Sequence, residues 1–201
     1  MTDSVEAGGP YAAADQGKPP GKRERLIAAA CQAVYEQGIE KTTLADIAAA
    51  AGIPLGNVYY YFKTKNDIVQ AVIDARLREI RAQLKAIEDQ HDSPAGRLKA
   101  LFGMLGEQGD SIARYGCPDG SLCAELDKRA GSPTLAAQLI REPLGWAERQ
   151  FLDMGRPDAR DLAIQVIARY QGTALLTSTL RDPDLMAREA DRIVQWIDTL
   201  H

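Results

Sequence analysis

The chain has 201 residues with 24 Lys and Arg against 28 Asp and Glu, a formal net charge of -4 that on average opposes attraction to nucleic acid. At 45% hydrophobic and 26% charged it has the composition of one large folded domain or two small ones, which excludes collagenous, wholly disordered and membrane-spanning chains. Aromatics are 6%, and the β-branched runs that announce strands are missing, so an all-α fold is expected.

Residues 1–21 carry small, polar and turn-forming types without apolar periodicity and are expected to form a disordered tail. The opening MTDSVEAGGP lacks the basic-then-apolar order of a signal peptide, so a cytoplasmic location is expected, with Cys31, Cys117 and Cys123 reduced. From Lys22 the first helix places Leu26, Ile27, Ala30 and Val34 on one face, and Gly38 supplies a left-handed stop. Thr43 and Asp46 form a capping pair for a short second helix, which ends at Gly52 because Ile53-Pro54 enforces an extended link. A third short helix covers Leu55–Phe62. Thr64 and Asp67 repeat the capping pattern and open a long fourth helix to about Gln90, with Ile68, Val72, Ala75, Ile80, Leu84 and Ile87 inward.

The fifth helix starts at Ser93-Pro94 and carries Leu98, Leu101, Phe102 and Leu105 before Tyr115. After the loop Gly116-Cys117-Pro118-Asp119-Gly120, Ser121 is expected to cap the sixth, and Ser132-Pro133 to start the seventh, which Pro143 should interrupt or kink near Trp146. Gly155-Arg156-Pro157-Asp158 separates the eighth, and Asp182-Pro183 opens the ninth. The expected architecture is therefore nine helices: a three-helix domain over 22–65 and a helical body over 66–201.

Two short helices after a longer one, joined by Ala51-Gly52-Ile53-Pro54, have the size and turn chemistry of a helix-turn-helix. From Lys18 to Lys65 there are seven bases, among them Lys18, Lys22, Arg23, Lys63 and Lys65, and four acids, so this segment is +3 and the rest -7. A basic end on an acidic body is what phosphate binding by one part of a chain predicts. Within the third helix, residues 59, 60 and 61 point about 100° apart, so the three tyrosines cannot all be buried. Val58, Tyr61 and Phe62 can serve the core, which turns Tyr59 and Tyr60 outward. Gly56 lets backbone approach DNA, Asn57 is a candidate base reader, and Lys65 adds a cation at the start of the fourth helix.

At these residues the runs Thr42-Thr43-Leu44-Ala45-Asp46-Ile47-Ala48, Ala51-Gly52-Ile53 and Gly56–Lys65 resemble the DNA-binding domain of TetR-family transcriptional regulators, over about 45 residues from Lys22 to Asp67. The resemblance implies phosphate contacts at Thr43, Tyr59 and Lys65 and base or groove contacts around Leu55, Gly56, Asn57 and Tyr60, with Lys22, Thr42 and Lys63 completing the DNA-facing set. Leu55 departs from the family, which often has Lys or Arg there; Lys63 or the bases Lys18, Lys22 and Arg23 compensate.

The family further implies a homodimer formed through the last two helices and an effector pocket in the body. The residues offer two stripes for the first: Met186, Ala190, Ile193, Ile197 and Leu200 at spacings of 4, 3, 4 and 3, and Leu162, Val166, Tyr170, Ala174 and Thr177 on the preceding helix. The bulky candidates for the second are Phe102, Met104, Leu105, Tyr115, Leu122, Trp146, Phe151 and Tyr170, with Cys117 beside them. Few charges fall on those inner faces, so a largely apolar effector is expected.

The expected function is thus a ligand-responsive, dimeric regulator that represses from a palindromic operator and leaves it when the effector binds. An alternative makes it a thiol sensor of electrophiles or oxidants through Cys117, with Cys123 resolving it. An enzyme acting on a small hydrophobic substrate is a remote third reading, since no nucleophile elbow, phosphate loop or dinucleotide fingerprint is present. No cofactor is called for, and His91, His201 and the three cysteines have no metal-site spacing.

Overall fold

The computed structural model describes residues 20–128 and 133–200. Residues 1–19 of the expected tail, Lys18 among them, lie outside the described residues, as do Ser132 and His201. Among the described residues there are ten helical segments and no strand: α1 (Lys22–Lys41), α2 (Leu44–Ala51), α3 (Leu55–Tyr61), α4 (Lys65–Gln90), α5 (Pro94–Gly106), α6 (Gly109–Tyr115), α7 (Pro118–Asp127), α8 (Pro133–Asp153), α9 (Ala159–Leu180) and α10 (Asp184–Ile197). The nine-helix reading corresponds to counting α5 and α6 as one helix, interrupted at Glu107-Gln108. The chain forms two compact units, Met1–Val72 and Ile73–His201, which divide within α4.

Unit 1 is built from local chemistry the sequence spells out. Gly38 breaks α1 at φ 83°, ψ 164°, a conformation open essentially to glycine alone, and one further turn follows before Thr42. The Thr43 hydroxyl accepts from the Asp46 amide at 3.1 Å, and the Asp46 carboxylate accepts from the Thr43 amide at 3.0 Å, so α2 starts on a reciprocal cap. Gly52 closes it in the left-handed region at φ 61°. The same device opens α4, where the Asp67 carboxylate accepts from the amides of Lys63 (2.8 Å) and Thr64 (2.9 Å). Leu26, Ala30, Ile39, Ile47, Val58, Phe62 and Ile68 bury between these helices as the core.

Unit 2 packs α10 along α5 at unusually close range. A Cβ on Gly106 would lie 2.6 Å from the Cβ of Ala190, so the two helices touch through a glycine. The remaining neighbours are α8 with α5, α7 and α9, α9 with α6 and α10, and α10 with α6. Two buried polar links cross this unit. The Arg76 guanidinium holds both oxygens of Asp119 (2.9 and 3.0 Å) and one of Glu79 (2.5 Å), and the Trp146 indole donates to Glu88 at 2.8 Å.

Two expectations about this unit need correction. Ser121 does not cap a helix: α7 starts three residues earlier, at Pro118, with Cys117 as its N-cap. Proline has no amide to satisfy and a φ already set for a first turn, so it starts the helix ahead of the serine. Pro143 does not interrupt its helix either, since α8 runs through it from Pro133 to Asp153.

Candidate nucleic-acid interface

Because Ile47, Ile53, Val58 and Phe62 are drawn into the core, the remaining side chains of α3 face out. Tyr60 is 76% exposed, Tyr59 50% and Leu55 40%, while Asn57 and Tyr61 are half-buried. The Tyr60 and Tyr61 rings meet edge to face at 5.1 Å, which steadies the tip of the helix. A Cβ on Gly56 would meet nothing in the protein, so its glycine is not demanded by internal packing. Thr43, Lys63 and Lys22 are exposed, and Lys65 is half-buried. The Lys63 ammonium donates to the Tyr59 carbonyl at 2.8 Å, and the Lys65 ammonium to the Glu40 carbonyl at 2.9 Å. Hydrogen bonds from Thr43 hold the Asp46 carboxyl below the usual range, and the Thr64 and Lys63 amides do the same for Asp67. Both acids are thereby committed to helix caps within the basic surface.

Thr42 does not join this surface. It is buried, with its hydroxyl donating to the Gly38 carbonyl at 2.7 Å, and it closes the broken end of α1 instead. Thr42 and Thr43 are indistinguishable by type, and only the direction of the chain after Gly38 turns one in and the other out.

Leu162, Val166 and Ala174 on α9, and Met186, Ala190, Ile193 and Ile197 on α10, are all buried within the single chain. Phe102, Leu105 and Tyr170, expected around an effector, meet Met186, Ala190 and Ile193 in one packed layer whose residual gap is about 10 Å³, room for a single water at most. Residues expected at a dimer seam and residues expected at a pocket are thus one core. Trp146 and Phe151 are fully buried, Phe151 against Trp196 with ring centroids 6.3 Å apart; Leu122 is buried, and Tyr115 is 36% exposed at the end of α6.

What the sequence reading missed is the opposite face of α9. Ile164, Leu175, Leu176 and Leu180 are exposed there, between 47% and 67%, with exposed Ala168 and Gly172 between them. That stripe was readable as apolar residues at helical spacing, but nothing local says which of two stripes a helix buries. A cavity of about 450 Å³ between α7 and α8, lined by Cys123, Asp127, Ala137, Ile140 and Arg141 among others, was also not anticipated.

Cys117 is buried. Burial, then the nearby Asp119 charge, pushes its thiol up, and hydrogen bonds with the Gly120 amide (3.4 Å) and the Tyr170 hydroxyl (3.7 Å) oppose this without reversing it. Burial likewise pushes the Cys123 thiol up to about 11. Among the described residues no group of three His, Cys, Asp or Glu could hold a metal ion, and no helix is long and apolar enough to cross a membrane.

Comparison with known proteins agrees with this geometry. The model of bacterial regulatory proteins of the tetR family matches residues 26–72. The chain is 38% identical over 188 residues to a probable HTH-type transcriptional regulator, ArpR of Pseudomonas putida, covering 88% of each, and 29% identical over 188 residues to the HTH-type transcriptional regulator TtgR of the same species, again covering 88% of each. A TetR transcriptional regulator from Legionella pneumophila shares the fold with a TM-score of 0.78 at 21% identity, over 90% of this chain and 98% of that one. With its cap-turn-cap arrangement, outward α3 and similarity to such regulators over 88% of its length, this chain belongs to the TetR family of transcriptional regulators.

Proposed function

We propose that the protein is a homodimeric repressor that grips a palindromic operator with two copies of α3 and releases it when a small, largely apolar effector occupies the body. The observation that carries this reading is the outward face of α3, where Leu55, Tyr59 and Tyr60 stand clear of the core beside Thr43, Lys63 and Lys65. In the major groove the Asn57 amide, able to donate and accept at once, reads a base edge. The Tyr59 and Thr43 hydroxyls and the Lys65 ammonium take phosphate oxygens, which fix register without reading sequence. One such helix reads only a few base pairs, so useful specificity needs two half-sites about 34 Å apart or a multiple of it.

The exposed α9 stripe supports the dimer, because a leucine-rich helix face left open in one chain is what a second copy covers. For the effector, the cavity between α7 and α8 has the volume of a drug-sized site, an alanine and isoleucine wall, and Asp127 and Arg141 to orient a polar end. A ligand there changes operator affinity only through its differential affinity for the bound and released arrangements. Helix α4 contributes residues to both units and is the continuous element along which such a difference can pass.

A fluorescence anisotropy titration on a palindrome upstream of the protein's own gene tests the core of this. Salt-sensitive, sequence-specific binding with a Kd of about 10 nM or tighter is expected. Binding no stronger than to scrambled duplex would end the operator reading. On the same duplex, Tyr59→Phe removes one hydrogen bond to a charged phosphate and should weaken all sequences alike, by about tenfold. Asn57→Ala should instead relax the preference at one base pair by about 1–3 kcal/mol. The reverse assignment of these two effects would show that α3 lies differently in the groove.

Burial of Cys117 leaves little thiolate at neutral pH, so its geometry does not support thiol sensing. Peroxide treatment is expected to alter the operator affinity of the natural chain and of Cys117→Ser equally. A response present in the first and lost in the second would establish the thiol sensor instead.

A further inference from the structure

Unit 1 contains a cavity of about 260 Å³, between the end of α1, the start of α2 and the first turns of α4, that the reading of this unit as a DNA grip does not use. Its floor is aliphatic, made by Ile39, Ile47, Ile68 and Val69. Its mouth is polar and carries Thr43, Lys63, Lys65 and Glu40. We propose that this cavity binds a short aliphatic anion such as a medium-chain carboxylate, its tail on the isoleucine floor and its carboxylate at Lys63 and Lys65, and that the bound head group competes with DNA phosphate.

Three observations select this occupant. The first is volume, which falls below the roughly 300–1,000 Å³ of drug-sized sites and suits a short chain. The second is the floor, where branched aliphatic side chains offer no aromatic face and no hydrogen-bonding group to a ring substituent. The third is the sign of the mouth. Each lysine donates to a neutral carbonyl, Lys63 to Tyr59 and Lys65 to Glu40, and an ammonium has three donors to give. The Glu40 carboxylate lies 4.0 Å from Lys65 and is 75% exposed, which makes it a weak, screened counter-charge. Asp46 and Asp67, the nearest other acids in sequence, accept from the amides of Thr43, Lys63 and Thr64 at the helix caps. Both carboxylates stay charged, but neither is among the lining residues, where two lysines stand against the single acid Glu40, so the lining favours an anion over a cation. Competition with DNA rests on the phosphate contacts proposed above for Thr43 and Lys65; occupancy of the cavity does not.

Isoleucine-methyl NMR of the full chain, titrated with octanoate in the absence of DNA, tests the site apart from the operator reading. Saturable shifts at the Ile39, Ile47 and Ile68 methyls are expected, with hexanoate about fifteenfold weaker, since each methylene is worth about fourfold, and octylammonium at least about tenfold weaker than octanoate. Leu44 stands half-exposed at the mouth, and Leu44→Trp should lower octanoate affinity at least about tenfold by filling it. Shifts confined to isoleucines of unit 2, equal affinity for octanoate and octylammonium, or no saturable shift would each overturn the proposal. Loss of operator specificity would leave the expected shifts untouched.

Discussion

The double substitution Leu175→Glu, Leu176→Glu is expected to yield a folded monomer whose affinity for a full palindrome is lower by about 100- to 10,000-fold. Both leucines are more than half exposed in the single chain, so the change removes nothing from the core. In a two-fold contact each substitution counts twice. Four leucines lose burial worth about 1.5–3 kcal/mol apiece, and four carboxylates are forced together in their place. Once the copies separate, the second half-site is no longer presented at the effective concentration that linkage supplies, which sets the size of the loss. Sedimentation velocity and anisotropy on one sample check both halves. A variant that remains a dimer would move the interface away from this face. A monomer that still binds the palindrome as tightly as the natural chain would remove dimerisation from the mechanism. Ile193→Ala, on the face first expected at the seam, should behave in the opposite way, losing about 2–5 kcal/mol of stability as a core truncation.

Arg76→Leu is expected to cost about 3–5 kcal/mol of unfolding free energy, because it strips the cation from two largely buried carboxylates. Arg76 is 6% exposed and holds Asp119 through two parallel hydrogen bonds and Glu79 through a third. In the natural chain, burial raises the Glu79 carboxyl above its ordinary value near 4.5, and the Arg76 charge pulls it back. A carboxyl raised on folding binds its proton more tightly in the native state, so its contribution to stability is present below the ordinary value and lost as pH climbs through the raised one. Without Arg76 the opposing charge is gone and the raised value climbs further. The deficit of the variant should therefore shrink between about pH 7 and about pH 5, as Glu79 takes up a proton. Urea unfolding at the two pH values measures it, and a deficit that grows on acidification would contradict this account. Adding Asp119→Leu should recover part of the loss by removing one of the two stranded charges.

The DNA-binding half was legible because its signals are local. A threonine three residues before an aspartate, a glycine before Ile-Pro, and three tyrosines in seven residues act through backbone sterics and hydrogen bonds within a turn or two, and the structure realises them at Thr43, Gly52 and Tyr59–Tyr61. The exception is Thr42, whose burial depends on where Gly38 sends the chain. Cys117 and Ser121 show the limit of reading caps by residue type. Both can accept a backbone hydrogen bond, and the rigid Pro118 between them decided which one stands at the helix start.

By itself, the sequence determined the all-α class, the helix-turn-helix with its outward tyrosines, and the separation of a basic end from an acidic body. Its average charge of -4 concealed that separation, because electrostatic attraction to phosphate is felt within about 10 Å and not over a whole chain. Only the tertiary structure decided which apolar residues of the body serve the fold and which are left over. Helix α9 carries one stripe through Leu162, Val166 and Ala174 and another through Ile164, Leu175 and Leu180. Hydrophobic burial has no direction of its own, so either stripe could have faced inward. The choice was made by the shape of the partners, with α5 and α10 closing to glycine contact at Gly106 and drawing Met186, Ala190 and Ile193 in against Phe102 and Tyr170. What remained outside was the other stripe.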